Sequence, residues 1–366
     1  VSAPAPLRLP PPPKQDTSLP WPTYGADNAR SRGVSADGIR PPFRRAWTFY
    51  GRALLEFPPV VGYGSVFEEG FDGRIHAIDP ANGTERWRYF SHRCGWSSPA
   101  LGDGLVFATF IGDPRCSKLR NGSLDALSAR TGKIRWRLDI GSCESSPLFA
   151  HGTVYIGDQN GRVYAFAART GRLRWSFDSG APIKASVTLA GGRIFIGNYG
   201  GTFYALDART GKVLWQSGGH GNFYSTASVA DGRVYAGSLD GRLYAFSART
   251  GAVDWATGLG GYVYASPAVW RGLVLVGSYD HRLYAVDGAT GVIRWSFDAG
   301  APVSGAASVV DGVVYASSFV HRTYALAAAS GRLIERWPDG DYSPAVAGYG
   351  HLYLVGLGRI YALVPG

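Results

Sequence analysis

Tyr164-Ala-Phe-Ala-Ala-Arg-Thr-Gly171-Arg-Leu-Arg-Trp175, Tyr204-Ala-Leu-Asp-Ala-Arg-Thr-Gly211-Lys-Val-Leu-Trp215 and Tyr244-Ala-Phe-Ser-Ala-Arg-Thr-Gly251-Ala-Val-Asp-Trp255 are three copies of one unit. Further copies end at Trp87, Trp136, Trp295 and, in a lengthened form, Trp337. The turn glycines Gly132, Gly171, Gly211, Gly251, Gly291 and Gly331 fall 39 or 40 residues apart, whereas Gly83 and Gly132 are 49 apart, which places one insertion between them. A fixed period of this length marks a repeat architecture in which each unit is one supersecondary element stacked on its neighbours.

Each period holds four short apolar runs split by turn signals, as in 185–190, 193–197, 202–206 and 213–215. Four strands per repeat with Gly-Gly or Asp-Gly turns describe one blade of a propeller. Third strands centred on Ile75, Leu124, Val163, Phe203, Leu243, Leu283, Thr323 and Ile360 number eight. The fourth-strand tryptophans Trp47, Trp87, Trp136, Trp175, Trp215, Trp255, Trp295 and Trp337 also number eight, but only when Trp47, far ahead of the first third strand, is included. The sequence therefore predicts an all-β, eight-bladed propeller of four antiparallel strands per blade. A strand over 44–49 pairs with 360–363, completes the last blade and closes the ring without an exposed edge. The eight tryptophans are read as structural: Thr-Gly supplies the tight turn, and the indole lies in the seam against the next blade. Trp21, Trp96 and Trp270 stand outside that pattern.

The propeller is expected over 43–366, with a segment at 21–42 packing on it. Residues 1–20, with Pro10 to Pro13, have the composition of an extended polyproline linker. No run approaches the roughly 20 apolar residues that span a bilayer. The chain contains no Met, even at position 1, which reads as a start after processing. An anchor or signal upstream and an extracytoplasmic location, secreted or membrane-attached, are expected. The net charge of +10 comes from 37 Lys and Arg against 27 acidic residues, giving a general attraction to polyanions.

The pattern Ala-x-Asp-x-x-Thr-Gly-x-x-x-Trp, complete at 205–215 and 285–295, resembles the tryptophan-docking repeat of pyrroloquinoline-quinone proteins. The opening Trp21-Pro-Thr-Tyr-Gly-Ala-Asp27 is similar to the segment that precedes the first blade in that family. The resemblance runs from Trp21 nearly to the end of the chain and implies the propeller fold. It admits two functional classes: quinone-dependent dehydrogenases, and non-enzymatic scaffolds such as the lipoprotein of the outer-membrane barrel assembly machinery. The dehydrogenases carry a vicinal cysteine disulfide and larger insertions around a calcium ion. This chain has neither feature, so the expectation is a scaffold without cofactor, metal or catalytic residues, monomeric, with an envelope protein or polymer as partner. A small redox-active dehydrogenase is the alternative.

Aligning the repeats just before each first strand yields Glu56, Trp96, Glu144, Lys184, Tyr224, Tyr264, Ser304 and Tyr342, on the face whose loops ring the axial channel. Aromatic and charged groups in a ring suit a peptide or glycan, the aromatics giving rigid contact area and the charges orientation. The bland alternative is that they plug the funnel. Cys94, Cys116 and Cys143 belong to the same face. A Cys94–Cys116 disulfide pinning the 111–122 insertion is expected, with Cys116–Cys143 as competitor, and the spacings match no zinc pattern. The opposite face repeats Arg130, Arg169, Arg209 and Arg249, a basic arc that either grips an anionic polymer or is copied with the turn. Nucleic acid is disfavoured because no aromatic platform accompanies the arc.

Overall fold

The computed structural model describes residues 18–36, 38–113, 115, 121–340 and 344–366. Strands occupy the predicted positions: blades 1 to 7 cover 60–90, 94–140, 148–178, 188–217, 228–258, 268–298 and 308–337, each an antiparallel meander of four main strands. Blade 8 takes three strands from 346–365 and its fourth from Phe43–Tyr50. That fourth strand runs antiparallel to Arg359–Pro365, with Trp47 opposite Ala362 and Phe49 opposite Ile360. The ring is thus closed by the N-terminal strand, as the tryptophan count required. First strands of adjacent blades approach one another, and that of blade 1 meets that of blade 8, so the first strands surround the axis. Among the described residues no helix is long and apolar enough to cross a membrane.

One contact, repeated at seven seams, sets the spacing of the blades. The indole of each fourth strand lies on the turn glycine of the next blade and donates its Nε1–H to a carbonyl of that turn. Trp175 reaches Ala208 O at 3.0 Å, Trp215 reaches Ala248 O at 3.1 Å and, across the closure, Trp47 reaches Pro80 O at 2.8 Å. Gly211 adopts φ +72°, and a Cβ there would sit 2.6 Å from the Trp175 ring. The turn therefore demands glycine twice, for its backbone angle and for the flat ring above it.

The seam from blade 7 to blade 8 departs from the pattern, because the chain ends replace the usual turn. Glu335, not Trp337, pairs with Ala325 at the position tryptophan holds elsewhere, and Trp337 stands two residues further along. Glu335 accepts the backbone N–H of Phe43, and the Trp337 ring packs against Phe43 and Tyr315, at 6.2 Å and 6.3 Å between centroids. Trp337 thus reaches its seam through ring contacts.

Gly211→Ala and Gly192→Ala separate the two demands on the turn. Both glycines have φ +72°, but nothing lies within 4 Å of a Cβ at Gly192. Gly192→Ala is expected to cost about 1 kcal/mol, from the left-handed backbone alone. Gly211→Ala should cost about 1–3 kcal/mol more through overlap with Trp175, measured by urea unfolding.

Candidate functional site

The axial channel is closed by the chain's own segment 18–36, which passes through it in contact with all eight blades. The middle residue of the first strand in six blades donates its backbone N–H to this segment: Val61 to Trp21 O, Leu101 to Pro22 O, Leu189 to Asn28 O, Val229 to Ala29 O, Val269 to Ser31 O and Val309 to Arg32 O, at 2.7–2.9 Å. Thr23 Oγ1 donates to Pro147 O in blade 3, and Tyr349 of blade 8 donates to Ser18 O. Inner strands present an unpaired edge, and buried amides need acceptors. The segment supplies them.

Two arginines anchor the plug. Arg30 is fully buried, and its guanidinium donates to Val187 O (3.1 Å), Thr23 Oγ1 (2.7 Å), Pro147 O (3.2 Å) and Tyr24 O. Arg32, equally buried, donates to Arg30 O, Ser228 Oγ and Pro267 O at 2.8–2.9 Å. Burial, with Arg32 beside it, holds Arg30 down to about 9. Both guanidiniums lie over the Tyr24 ring, at 5.8 Å and 4.7 Å.

Above the plug the blades are stitched by a collar of hydroxyls. Ser98 N–H donates to Ser146 Oγ, Ser146 N–H to Ser186 Oγ, Ser186 N–H to Thr226 Oγ1 and Thr226 N–H to Ser266 Oγ, at 2.8–3.0 Å. Tyr24 O–H reaches Ser266 Oγ at 3.3 Å. Plug and collar together form the floor of a cavity of about 370 Å³.

Glu56, Trp96, Glu144, Lys184, Tyr224, Tyr264 and Ser304 all line this one cavity. Tyr342 and Cys116 lie outside the described residues. The repeat alignment missed Tyr24, Tyr199 and Tyr279, which also line it. Tyr199 and Tyr279 hold one repeat position in the hairpin between second and third strands, so a second alignment column would have found them.

The cavity is polarised. Blades 4 to 6 give a tyrosine wall in which neighbouring centroids are 6.3 Å (Tyr199–Tyr224), 5.3 Å (Tyr224–Tyr264) and 4.8 Å (Tyr264–Tyr279) apart. Glu144 stands at one end, held by Gln159 Nε2 at 2.5 Å, Lys184 Nζ at 3.3 Å and Tyr224 O–H at 3.3 Å. Burial and the Glu144 and Glu56 charges push the Tyr224 hydroxyl well above its usual range. It acts as a donor. On the far side Trp96 meets Phe71 edge-on at 5.2 Å, and the Arg115 guanidinium lies 5.1 Å from the Trp96 ring.

Trp96 is fixed from behind by Glu69, whose Oε1 accepts its backbone N–H at 3.1 Å. Glu69 and the adjacent Glu68 are buried, and neither Glu68 carboxyl oxygen has a hydrogen-bond partner. Burial drives both well above the usual carboxylate range.

Among the described residues no group of three His, Cys, Asp or Glu side chains could hold a metal ion. The residues present do not fit a quinone with its calcium: Glu144 is committed to three donors, and the floor is plug and hydroxyls. Cys143 is a buried free thiol, pushed up by burial. The basic-arc side chains Arg130, Arg169, Arg209 and Arg249 are exposed on the opposite face, where Arg169 pairs with Asp103 at 3.1 Å.

A family profile described as "Outer membrane protein assembly factor BamB" matches overlapping stretches 71–181, 120–227 and 159–364. The chain belongs to the BamB family. An outer membrane protein assembly factor BamB from Yersinia pestis is 28% identical over 175 residues, 40% of this chain and 42% of that protein, so the match spans less than half of the relative. The crystal structure of BamB from Moraxella catarrhalis superposes with a TM-score of 0.75 at 18% identity, covering 88% of this chain and 99% of that one. A quinohemoprotein alcohol dehydrogenase from Comamonas testosteroni gives 0.78 at 17% identity over 94% and 80% of the two chains. At these identities the superpositions show the fold alone.

Two outcomes test the plug and the buried acids. Arg30→Met removes the donor from four carbonyl or hydroxyl oxygens and should cost about 3 kcal/mol or more in urea unfolding, whereas the exposed Arg40→Ala should stay within about 0.5 kcal/mol. The raised carboxyls make the folded chain bind more protons than the unfolded one. Stability is therefore greatest at mildly acid pH and falls as pH rises through the folded-state values. Glu68→Gln should flatten that fall and gain about 1 kcal/mol or more at pH 8, read from unfolding curves across the range.

Proposed function

We propose that this BamB-family chain is a non-catalytic scaffold outside the cytoplasm that holds a segment of an envelope protein across its axial cavity. The observation that carries this reading is the convergence of seven side chains of five kinds, from seven blades, on one cavity floored by the plug. Rigid tyrosines give contact area at low entropic cost, and the Lys184 ammonium, with donors beyond the one it gives Glu144, can meet a carbonyl of a bound backbone. The relative from Yersinia pestis carries the name of an outer membrane protein assembly factor, which supports a protein partner over a small substrate.

In this reading the proline-rich stretch ahead of Ser18 is the linker to an upstream anchor, 18–36 plug the ring, which shifts the expected boundary at 20 forward, and 43–366 form the propeller. Cys94 pairs with Cys116, closing a loop of about 20 residues worth roughly 3 kcal/mol, which non-reducing peptide mapping would read.

The test compares parent chain with Tyr224→Ala/Tyr264→Ala in capture from envelope extract. The captured partner should be lost roughly tenfold with the double variant, while unfolding curves confirm an intact ring. Reconstitution with pyrroloquinoline quinone and calcium should give no dye reduction across alcohols and sugars. Saturable turnover abolished by Glu144→Ala would establish a dehydrogenase instead.

A further inference from the structure

The face opposite the cavity carries two kinds of exposed side chain in alternation. Turns between third and fourth strands present Arg130 and Lys133 in blade 2, Arg169 and Arg172 in blade 3, Arg209 and Lys212 in blade 4, and Arg249 in blade 5, all exposed. The fourth strand leaving each turn begins with an exposed aliphatic residue: Ile134 (46%), Leu173 (49%), Val213 (43%) with Leu214 (47%), and Val253 (42%). Few carboxylates answer the cations. Asp103 holds Arg169, and Asp207 is turned back to cap its own turn through Thr210. On the cavity face, by contrast, arginines that open third strands stand beside acids, as in Arg74–Asp72, Arg162–Asp178 and Arg359–Asp339.

A second, independent observation concerns the chain path. Ser18, at the start of the plug, lies on this same face, where its carbonyl accepts from Tyr63 N–H at 3.3 Å and Tyr349 O–H at 3.4 Å. Both residues belong to turns between first and second strands.

We infer that the turn face of blades 2 to 5 docks on an anionic lipid bilayer. Basic side chains meet the headgroup phosphates, and the interleaved aliphatic side chains enter the boundary beneath them. A hydrated polyanion would reward the cations alone, since exposed aliphatic groups gain nothing in water. The aliphatic row continues at Val292 (54%) and Ile293 (41%) in blade 6, but the basic stretch that accompanies it is bounded. Blade 1 has Asp79 and Glu85 around its turn, and in blade 6 Asp287 pairs with Arg294 at 2.6 Å. Docked in this way, Ser18 faces the membrane and the cavity opens away from it. The inference does not rest on the proposed function, because lipid binding and partner capture use opposite faces.

The full chain is tested by co-sedimentation with vesicles of phosphatidylcholine alone and with phosphatidylglycerol added. Binding should appear on the anionic vesicles and fall roughly tenfold for Arg130→Gln/Arg169→Gln/Arg209→Gln/Arg249→Gln. The cavity-face control Arg162→Gln/Arg242→Gln/Arg282→Gln/Arg322→Gln, with the same change of charge, should stay within about twofold. Leu173→Ser/Leu214→Ser should weaken vesicle binding severalfold yet leave retention on heparin unchanged. Three results would each overturn the inference: no preference for anionic vesicles, equal loss in the control, or aliphatic changes without effect on vesicles. The last would mark general polyanion binding. Circular dichroism checks that every variant is folded.

Discussion

A tryptophan ring lying flat on a glycine of the next blade is the contact on which the ring depends. It is short-range and demanding: the indole needs a turn with no Cβ beneath it and a carbonyl at hydrogen-bond distance, as Trp175 finds at Gly211 and Ala208. Because each blade is both donor and receiver, the spacing of Gly and Trp is fixed within the repeat, while residues elsewhere can be inserted. The 111–122 insertion joins the second and third strands of blade 2, at the opposite end from this dock. Where the chain ends interrupt the pattern, a carboxylate and ring contacts replace the dock, through Glu335 and Phe43.

Closing eight blades into a ring creates a second problem at the axis, since first strands turn an unpaired edge inward and their amides would be buried without acceptors. Segment 18–36 resolves it by offering carbonyls in turn to successive blades. Its own polar groups then need partners: Arg30 gives its donors to carbonyl and hydroxyl oxygens, whereas Arg32 does so through Nη1 alone and rests its guanidinium over the Tyr24 ring. The plug is also what makes a cavity out of a channel. Tyr24, set by its neighbours in the plug, reaches up to the hydroxyl collar and forms part of the floor.

Fold and closure were legible because they rest on a repeated local rule. Gly and Trp at fixed spacing reveal the blade, and the mismatch between third strands and tryptophans reveals that the fourth strand of blade 8 comes from Phe43–Tyr50. The cavity ring was legible for the same reason, as a column of the repeat. The plug was not. Residues 18–36 occur once, have no apolar periodicity, and gain their structure from hydrogen bonds to residues up to 331 positions away, as Ser18 does with Tyr349. Nothing local in Arg30 or Arg32 separates them from 30 other arginines. Likewise Trp337 was grouped with its seven counterparts by residue type, although two added residues give its docking position to Glu335.

The repeats also distinguish structure from recognition without reference to any other protein. A position that serves the blade must be the same in every blade, and Gly and Trp nearly are. The position before each first strand reads Glu, Trp, Glu, Lys, Tyr, Tyr, Ser and Tyr around the ring, although its backbone setting is shared. Variation at equal geometry means that the side chain is not needed by the blade, so its identity is free to answer to whatever occupies the cavity. The turn face behaves differently again. Thr and Gly recur there with structural duties, but Arg130 and Arg249 recur beside them with no side-chain hydrogen bond or ion pair among the described residues. One face of the disc is therefore chemically varied, whereas the other repeats one cation over blades 2 to 5. That asymmetry suits a scaffold that meets a specific partner on one side and an extended, repetitive surface on the other.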